Sequence, residues 1–159
     1  MPSFTATRRV RHSATDMFDL VADVEAYPKF LPMCERLTVR SRRKDGDRDV
    51  LIATMTVAYK FVRESFTTRV TLDRASFLIQ AEYIDGPFSH LENVWRFEPH
   101  GRGDCIIRFS IDYEFKSRLL QMLIGSLFER VFARYTEAFE ARADAVYGVE
   151  GGTPRLSPA

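Results

Sequence analysis

Cysteine is scarce in this chain. Cys34 and Cys105 are the only two, far apart in sequence, which excludes both a disulfide framework and the close spacing of a zinc site. Two reduced thiols in an intracellular protein are expected. Charge of one sign is lacking as well: 23 Lys and Arg against 22 Asp and Glu leave a formal net charge of +1. No bulk attraction to nucleic acid or anionic membrane follows from such a balance. No apolar run is long enough to span a bilayer, which takes about 20 residues. The charge-free stretch Leu119 to Phe128 falls well short of that. Catalytic signatures are missing too. His12, His90 and His100 are scattered, and there is no Gly-rich phosphate loop and no nucleophile on a strand-to-helix elbow. The chain reads as a binding protein and not an enzyme, with no metal and no cofactor.

What is abundant is phenylalanine, 13 residues against 6 Tyr and 1 Trp. Phe brings apolar area with no polar handle to satisfy, and suits a large core or the lining of an apolar cavity. In the opening MPSFTATRRV, the alternation of Phe4, Ala6 and Val10 predicts a first strand. Ser13, with Asp16 three residues on, then predicts a capped helix carrying Phe18, Val21 and Ala22 on one stripe. From about Leu37 to Phe115 period-two alternation dominates. Leu51, Ala53, Met55, Val57 and Tyr59 share one face, as do Val62, Phe66 and Val70, then Leu91, Asn93, Trp95 and Phe97, then Cys105 to Phe115 at alternate positions. Short turns such as Asp45-Gly46-Asp47 predict hairpins and an antiparallel meander. From Ser117 to Tyr147 the period becomes helical and stops at Gly148. Residues 1–148 are expected as one domain and 149–159, rich in Gly and Pro, as a disordered tail.

The expected fold class is α+β: a curved antiparallel sheet around a long C-terminal helix, with two short helices after the first strand. A sheet curved around one helix leaves a hollow unless bulky side chains fill it. The segment DVEAYPKFLPMCE, Asp23 to Glu35, is greasier than a surface connection should be. Either it walls the hollow as a lid whose inner surface faces a ligand, or Phe30, Leu31 and Met33 plug the open end of the sheet. Two further features weigh on function. The basic run Arg36, Arg40, Arg42, Arg43 and Lys44 lacks interleaved aromatics and reads as a solvated strand face. In the charge-free helix start, Gly125 costs about 1 kcal/mol against Ala, which suggests a close neighbour at its backbone.

Three stretches together, DVEAYPKFLPMC, DGPFSHLENVWRF and IDYEFKSRLLQMLIGSLFERVFARYTEAFEARADAVYG, resemble the coenzyme-Q-binding, START-like proteins. That family also includes the bacterial ribosome-association toxins and sits within the polyketide-cyclase-like group. The resemblance covers Ser3 to Gly148. It implies a helix-grip (START/Bet v 1-like) fold whose cavity holds ubiquinone or a similar isoprenoid lipid without a catalytic step. The residues expected against ligand are Tyr27, Phe30, Leu31, Pro32, Met33, Met55, Phe66, Phe88, Leu91, Trp95, Leu120, Ile124 and Phe128. The implied partners are a hydrophobic small molecule, a transient membrane surface and respiratory or quinone-biosynthesis enzymes. The implied location is the cytoplasm, at the inner face of the membrane. Two alternatives stay open: a ribosome-association toxin-like factor on the large subunit, and a polyketide cyclase or dehydratase.

Overall fold

A computed structural model describes residues 3–148; the expected tail, 149–159, lies outside them. The chain runs β1 (Ser3–Val10), α1 (Ala14–Ala22), a 3₁₀ helix (Val24–Lys29), β2 (Cys34–Asp45), β3 (Arg48–Tyr59), β4 (Val62–Asp73), β5 (Leu78–Asp85), β6 (Phe88–His100), β7 (Asp104–Phe115) and α2 (Arg118–Tyr147). The strands form one antiparallel sheet in the order β1-β7-β6-β5-β4-β3-β2. β2 to β7 are the expected meander. β1 pairs with the far-off β7, Val10 opposite Cys105 and Phe4 opposite Ile111. Register shifts in β2 (Cys34/Arg36 and Val39/Ser41), β4 (Thr67/Thr68) and β6 (Phe88/His90) bend the sheet, as bulged strands do.

Both long-range helices start where their caps place them. Ser13 Oγ accepts from the Asp16 N–H at 3.0 Å, and Ser117 Oγ from the Leu120 N–H at 3.2 Å. α2 ends at Gly148 with φ +89°. Its last turns are fastened to the start of the chain. His12, fully buried, lies 2.7 Å from Asp144, Arg8 meets Glu140 at 2.6 Å, and the Tyr147 hydroxyl donates to the Asp16 carbonyl. Glu140 is therefore not the water-facing residue that helical periodicity predicts, and neither is Arg142, whose guanidinium sits 5.3 Å above the Phe30 ring.

Along its inner side α2 packs on β1, β7 and α1. Phe115–Phe128, Tyr113–Phe132 and Trp95–Phe139 ring contacts of 5.3, 5.5 and 5.1 Å seat it over the aromatic half of the sheet. Edge-to-face pairs of this kind add about 0.5–1.5 kcal/mol each beyond the burial of area.

The start of α2 departs from expectation. Leu119, Met122 and Leu123 are exposed, and Gly125 has no foreign neighbour. A Cβ there would meet only the side-chain amide of Gln121 on the same helix, which is free to swing away. Gly86 is the opposite case. Its φ of +143° disfavours any L side chain, and a Cβ would fall 2.6 Å from Phe66 Cβ and 2.9 Å from Phe66 Cα. Gly125→Ala should therefore raise stability by up to about 1 kcal/mol. Gly86→Ala should lower it by more than about 1 kcal/mol. Urea midpoints of the two variants, moving in opposite directions, check both.

Candidate functional site

Because α2 lies over β1 and β7, the sheet beyond it arches over empty space. Many of the side chains that face that space on β3, β4 and β5 are small, Ala53, Val57, Thr68, Val70 and Ala81, beside the larger Met55, Phe66 and Ile79. The aromatics that could fill it, Phe88, Trp95 and Phe109, stand on β6 and β7, close to the helix. A cavity of about 110 Å³ remains, walled almost wholly by apolar side chains. A cross-strand row, Leu37 opposite Met55 and Met55 opposite Phe66, forms its half-buried edge. Phe128, Val131, Phe132, Tyr135 and Phe139 of α2 make the opposite wall.

The segment after α1 closes the end. Tyr27 donates its hydroxyl to the Val21 carbonyl, and the Leu31 N–H returns to the Tyr27 carbonyl at 2.9 Å. Met33 then takes a left-handed turn, φ +64°, so that its carbonyl accepts from the Ala58 N–H on β3 at 3.0 Å. Val24, Tyr27, Leu31 and Met33 thereby face the hollow. The segment is a wall of the cavity, held to β3 by that backbone bond.

Of the residues expected against ligand, Tyr27, Leu31, Met33, Met55, Phe66, Phe88, Leu91, Trp95 and Phe128 line the cavity. Four do not. Phe30 turns outward onto Phe139, 5.1 Å between ring centroids, beneath Arg142. Pro32 lies in the turn between Leu31 and Met33, off the wall. Leu120 packs against the core, and Ile124 is buried away from the hollow, because the early turns of α2 press on the end of β7 and the hollow opens only at Phe128. The expectation that Leu119 to Phe128 lines the cavity is corrected accordingly: only Phe128 does. Sequence reading in turn passed over Thr68, Ala81 and Tyr135 as site residues. The signal for the first two was there, small side chains at inward positions of strands that elsewhere carry bulky ones.

Polar groups on the wall are few. Asn93 is spoken for, donating to the Ser110 carbonyl at 2.9 Å and accepting from Trp95 Nε1 at 3.0 Å. Tyr135 makes no hydrogen bond among the described residues. Burial, with a smaller contribution from the nearby Cys34 thiol, pushes its phenol well above the ordinary tyrosine range. It is thus a neutral donor with nothing of the protein to donate to. Burial also pushes the thiols up, Cys34 to about 11 and Cys105 to about 12, with the Asp104 carboxylate adding to the latter. Both stay protonated at neutral pH, which makes them poor nucleophiles. Among the described residues no group of three or more His, Cys, Asp or Glu is placed to hold a metal, and no helix is long and apolar enough to cross a membrane.

This fold recurs among known proteins. The chain is 34% identical to the ribosome association toxin RatA of Escherichia coli over 147 residues, 92% of this chain and 90% of that one. It is also 34% identical to a mitochondrial coenzyme Q-binding protein of Xenopus laevis over 149 residues, 91% of this chain and 59% of that longer one. The solution structure of an 18 kDa protein from Caulobacter crescentus superposes with a TM-score of 0.78 at 34% identity, covering 94% of this chain and 100% of the other. An aromatase/cyclase from Streptomyces gives the same TM-score, 0.78, at 17% identity over 96% of this chain and 99% of its own, a likeness of fold alone. With the family described as polyketide cyclase / dehydrase and lipid transport matching residues 10–140, the chain belongs to that START-like family, alongside ribosome-association and coenzyme Q-binding relatives.

Proposed function

We propose that the protein is a non-catalytic carrier of an isoprenoid lipid with a carbonyl-bearing head, of the ubiquinone class. The observation that carries this reading is the pairing of an almost wholly apolar cavity with one unengaged donor, the Tyr135 hydroxyl. An isoprenoid tail gains about 0.8 kcal/mol for each CH₂-sized group it hides from water. A carbonyl at one end gives Tyr135 the acceptor that the protein withholds. The name of the coenzyme Q-binding relative supports the same chemistry. The cavity offers no pair of ionisable groups pushed apart in affinity for protons, the arrangement that acid–base catalysis on a polyketide needs; its titratable wall residues are Tyr27 and Tyr135, both held neutral by burial.

At about 110 Å³ the cavity is smaller than the roughly 150 Å³ that holds one benzene ring in a protein core. A guest with a tail must push the wall outward. The segment Tyr27–Met33, tied to β3 through one backbone hydrogen bond of Met33, is the part that yields.

A second reading is favoured by the names of the ribosome association toxin relatives. Its basic candidate surface on β2 is largely committed: Arg42 pairs with Glu25, Lys44 with Asp49, and Arg40 bonds Thr54. Cosedimentation with large ribosomal subunits across a salt series separates the two readings, since phosphate-driven binding weakens steeply as salt rises.

The carrier reading is tested by solvent extraction of the purified protein and mass spectrometry of the extract. Titration with a short-chain quinone provides the affinity, because the single tryptophan, Trp95, lines the cavity and reports by quenching. Tyr135→Phe should weaken binding about fivefold to tenfold, the worth of one hydrogen bond near 1 kcal/mol, with its melting temperature unchanged. Ala81→Leu fills the hollow. It should abolish quenching while keeping or raising the melting temperature, since the added methylenes enter empty space. An extract free of isoprenoid lipid, together with no quenching of the unmutated protein, would sink the reading.

A further inference from the structure

Apart from Val146 near the C-terminal end of α2, the exposed large apolar residues lie at one end of the molecule. The β3–β4 turn, the β5–β6 turn and the step from β7 into α2 all lie at the same end of the antiparallel sheet. There Phe61, at the tip of the β3–β4 turn, is 88% exposed. On the first turns of α2, Leu119, Met122 and Leu123 are 63%, 81% and 58% exposed. A solvent-facing helix surface is normally polar. Here the outer face carries only Leu119, Met122, Leu123 and Ser126 before it turns charged at Glu129, Arg130, Arg134 and Glu137. The change of character is abrupt and marks a level along the helix. Leu119 to Leu123 rises about 6 Å along the axis, within the roughly 5–10 Å to which interfacial apolar faces enter the headgroup boundary.

Cations frame this face. Lys60 precedes Phe61, and Lys116 and Arg118 precede Leu119. None of the three meets an acid among the described residues. Lys60 Nζ instead lies 5.3 Å over the Tyr59 ring. Elsewhere several arginines are paired with acids, such as Arg63 with Glu35, Arg69 with Glu82 and Arg108 with Glu98. Three cations without an acid partner among the described residues thus stand around the apolar side chains. The acids at this end are Glu35, which pairs with Arg63, Glu64 at the start of β4, Glu114, which accepts from Ser89 Oγ at 3.1 Å, and Asp85, beside another exposed residue, Ile84. Each edge of the face leads into the cavity wall within a few residues, from Phe61 to Phe66 on β4 and from Leu123 to Phe128 on α2.

We propose that this end of the molecule docks on an anionic lipid bilayer, with Phe61, Leu119, Met122 and Leu123 entering the interface and Lys60, Lys116 and Arg118 meeting lipid phosphates. Docking here sets the lipid phase against the two cavity walls that begin at Phe66 and Phe128. It gives the carrier reading a place of loading, and rests on that reading only for the identity of the cargo.

Cosedimentation of the full-length protein with phosphatidylcholine vesicles, with and without one third phosphatidylglycerol, tests this directly. Binding is expected to the anionic vesicles, falling with added salt, and much less to the neutral ones. Met122→Ser with Leu123→Ser, and separately Phe61→Ser, should reduce it about tenfold or more, the loss expected when buried apolar side chains are removed. Lys60→Gln with Arg118→Gln should erase the preference for anionic lipid. Ile84→Ser, exposed but set beside Asp85, should change nothing. All these side chains stand in water in the free protein, so melting temperatures should hold. Quenching of Trp95 by a soluble short-chain quinone should be unaltered in each variant. Loss of vesicle binding with intact quenching therefore marks docking, whereas loss of quenching alone strikes the carrier reading. Equal binding by the Met122/Leu123 variant, or an equal drop in Ile84→Ser, would overturn the proposal. So would a dimer in solution that the Met122/Leu123 variant dissolves without any vesicle binding by the unmutated chain, since the face would then join two copies.

Discussion

Everything about the site depends on where α2 rests. Phe128, Phe132 and Phe139 key into Phe115, Tyr113 and Trp95, so the helix is held over one half of the sheet and kept off the other. Were it centred, Ala53, Thr68 and Ala81 would meet helix side chains and no space would remain. The hollow is the geometric remainder of an aromatic contact placed to one side. Filling it from the sheet would need longer residues at Ala53, Thr68 and Ala81, where the chain has small ones.

The fastening at the other end of α2 serves the same arrangement. His12, Arg8 and the Asp16 carbonyl hold Asp144, Glu140 and Tyr147, so the C-terminal turns are bound by directional contacts. The N-terminal turns lean on aromatic packing and present their outer side chains to solvent. The helix is firm where it meets α1 and β1 and greasy where it leaves β7.

Much of this was legible in the residues, and the limits of legibility have a physical cause. Strand alternation put Leu91, Asn93, Trp95 and Phe97 on the inner face, and the caps Ser13, Ser117 and Gly148 bounded the helices, because both signals are local. The pairing of β1 with β7 was not legible, since nothing in SFTATRRV names its distant neighbour. Nor was the fate of the charge-free helix start. Its apolar side chains suit a cavity wall or an outer surface equally well. Only the distance between α2 and each strand, which packing sets, turns Ile124 into the core and Met122 into water. Phe30 went wrong for the same reason. Its neighbours Leu31 and Met33 face inward, but the left-handed turn at Met33 and the short 3₁₀ helix break the period that would have carried Phe30 with them. Helical periodicity places Tyr135 among the apolar positions of α2, and only the packing around it leaves its hydroxyl without a protein partner among the described residues.

On the carrier reading, the size of the hollow carries a kinetic consequence. A space of about 110 Å³ leaves an arriving molecule of any length nowhere to lie until the wall has moved. The waiting time for entry or escape then belongs to the protein, through the rate at which the Tyr27–Met33 wall parts from β3, and not to the speed at which guests arrive. On that reading the chain sets its own clock, and turnover quickens wherever something outside loosens the wall.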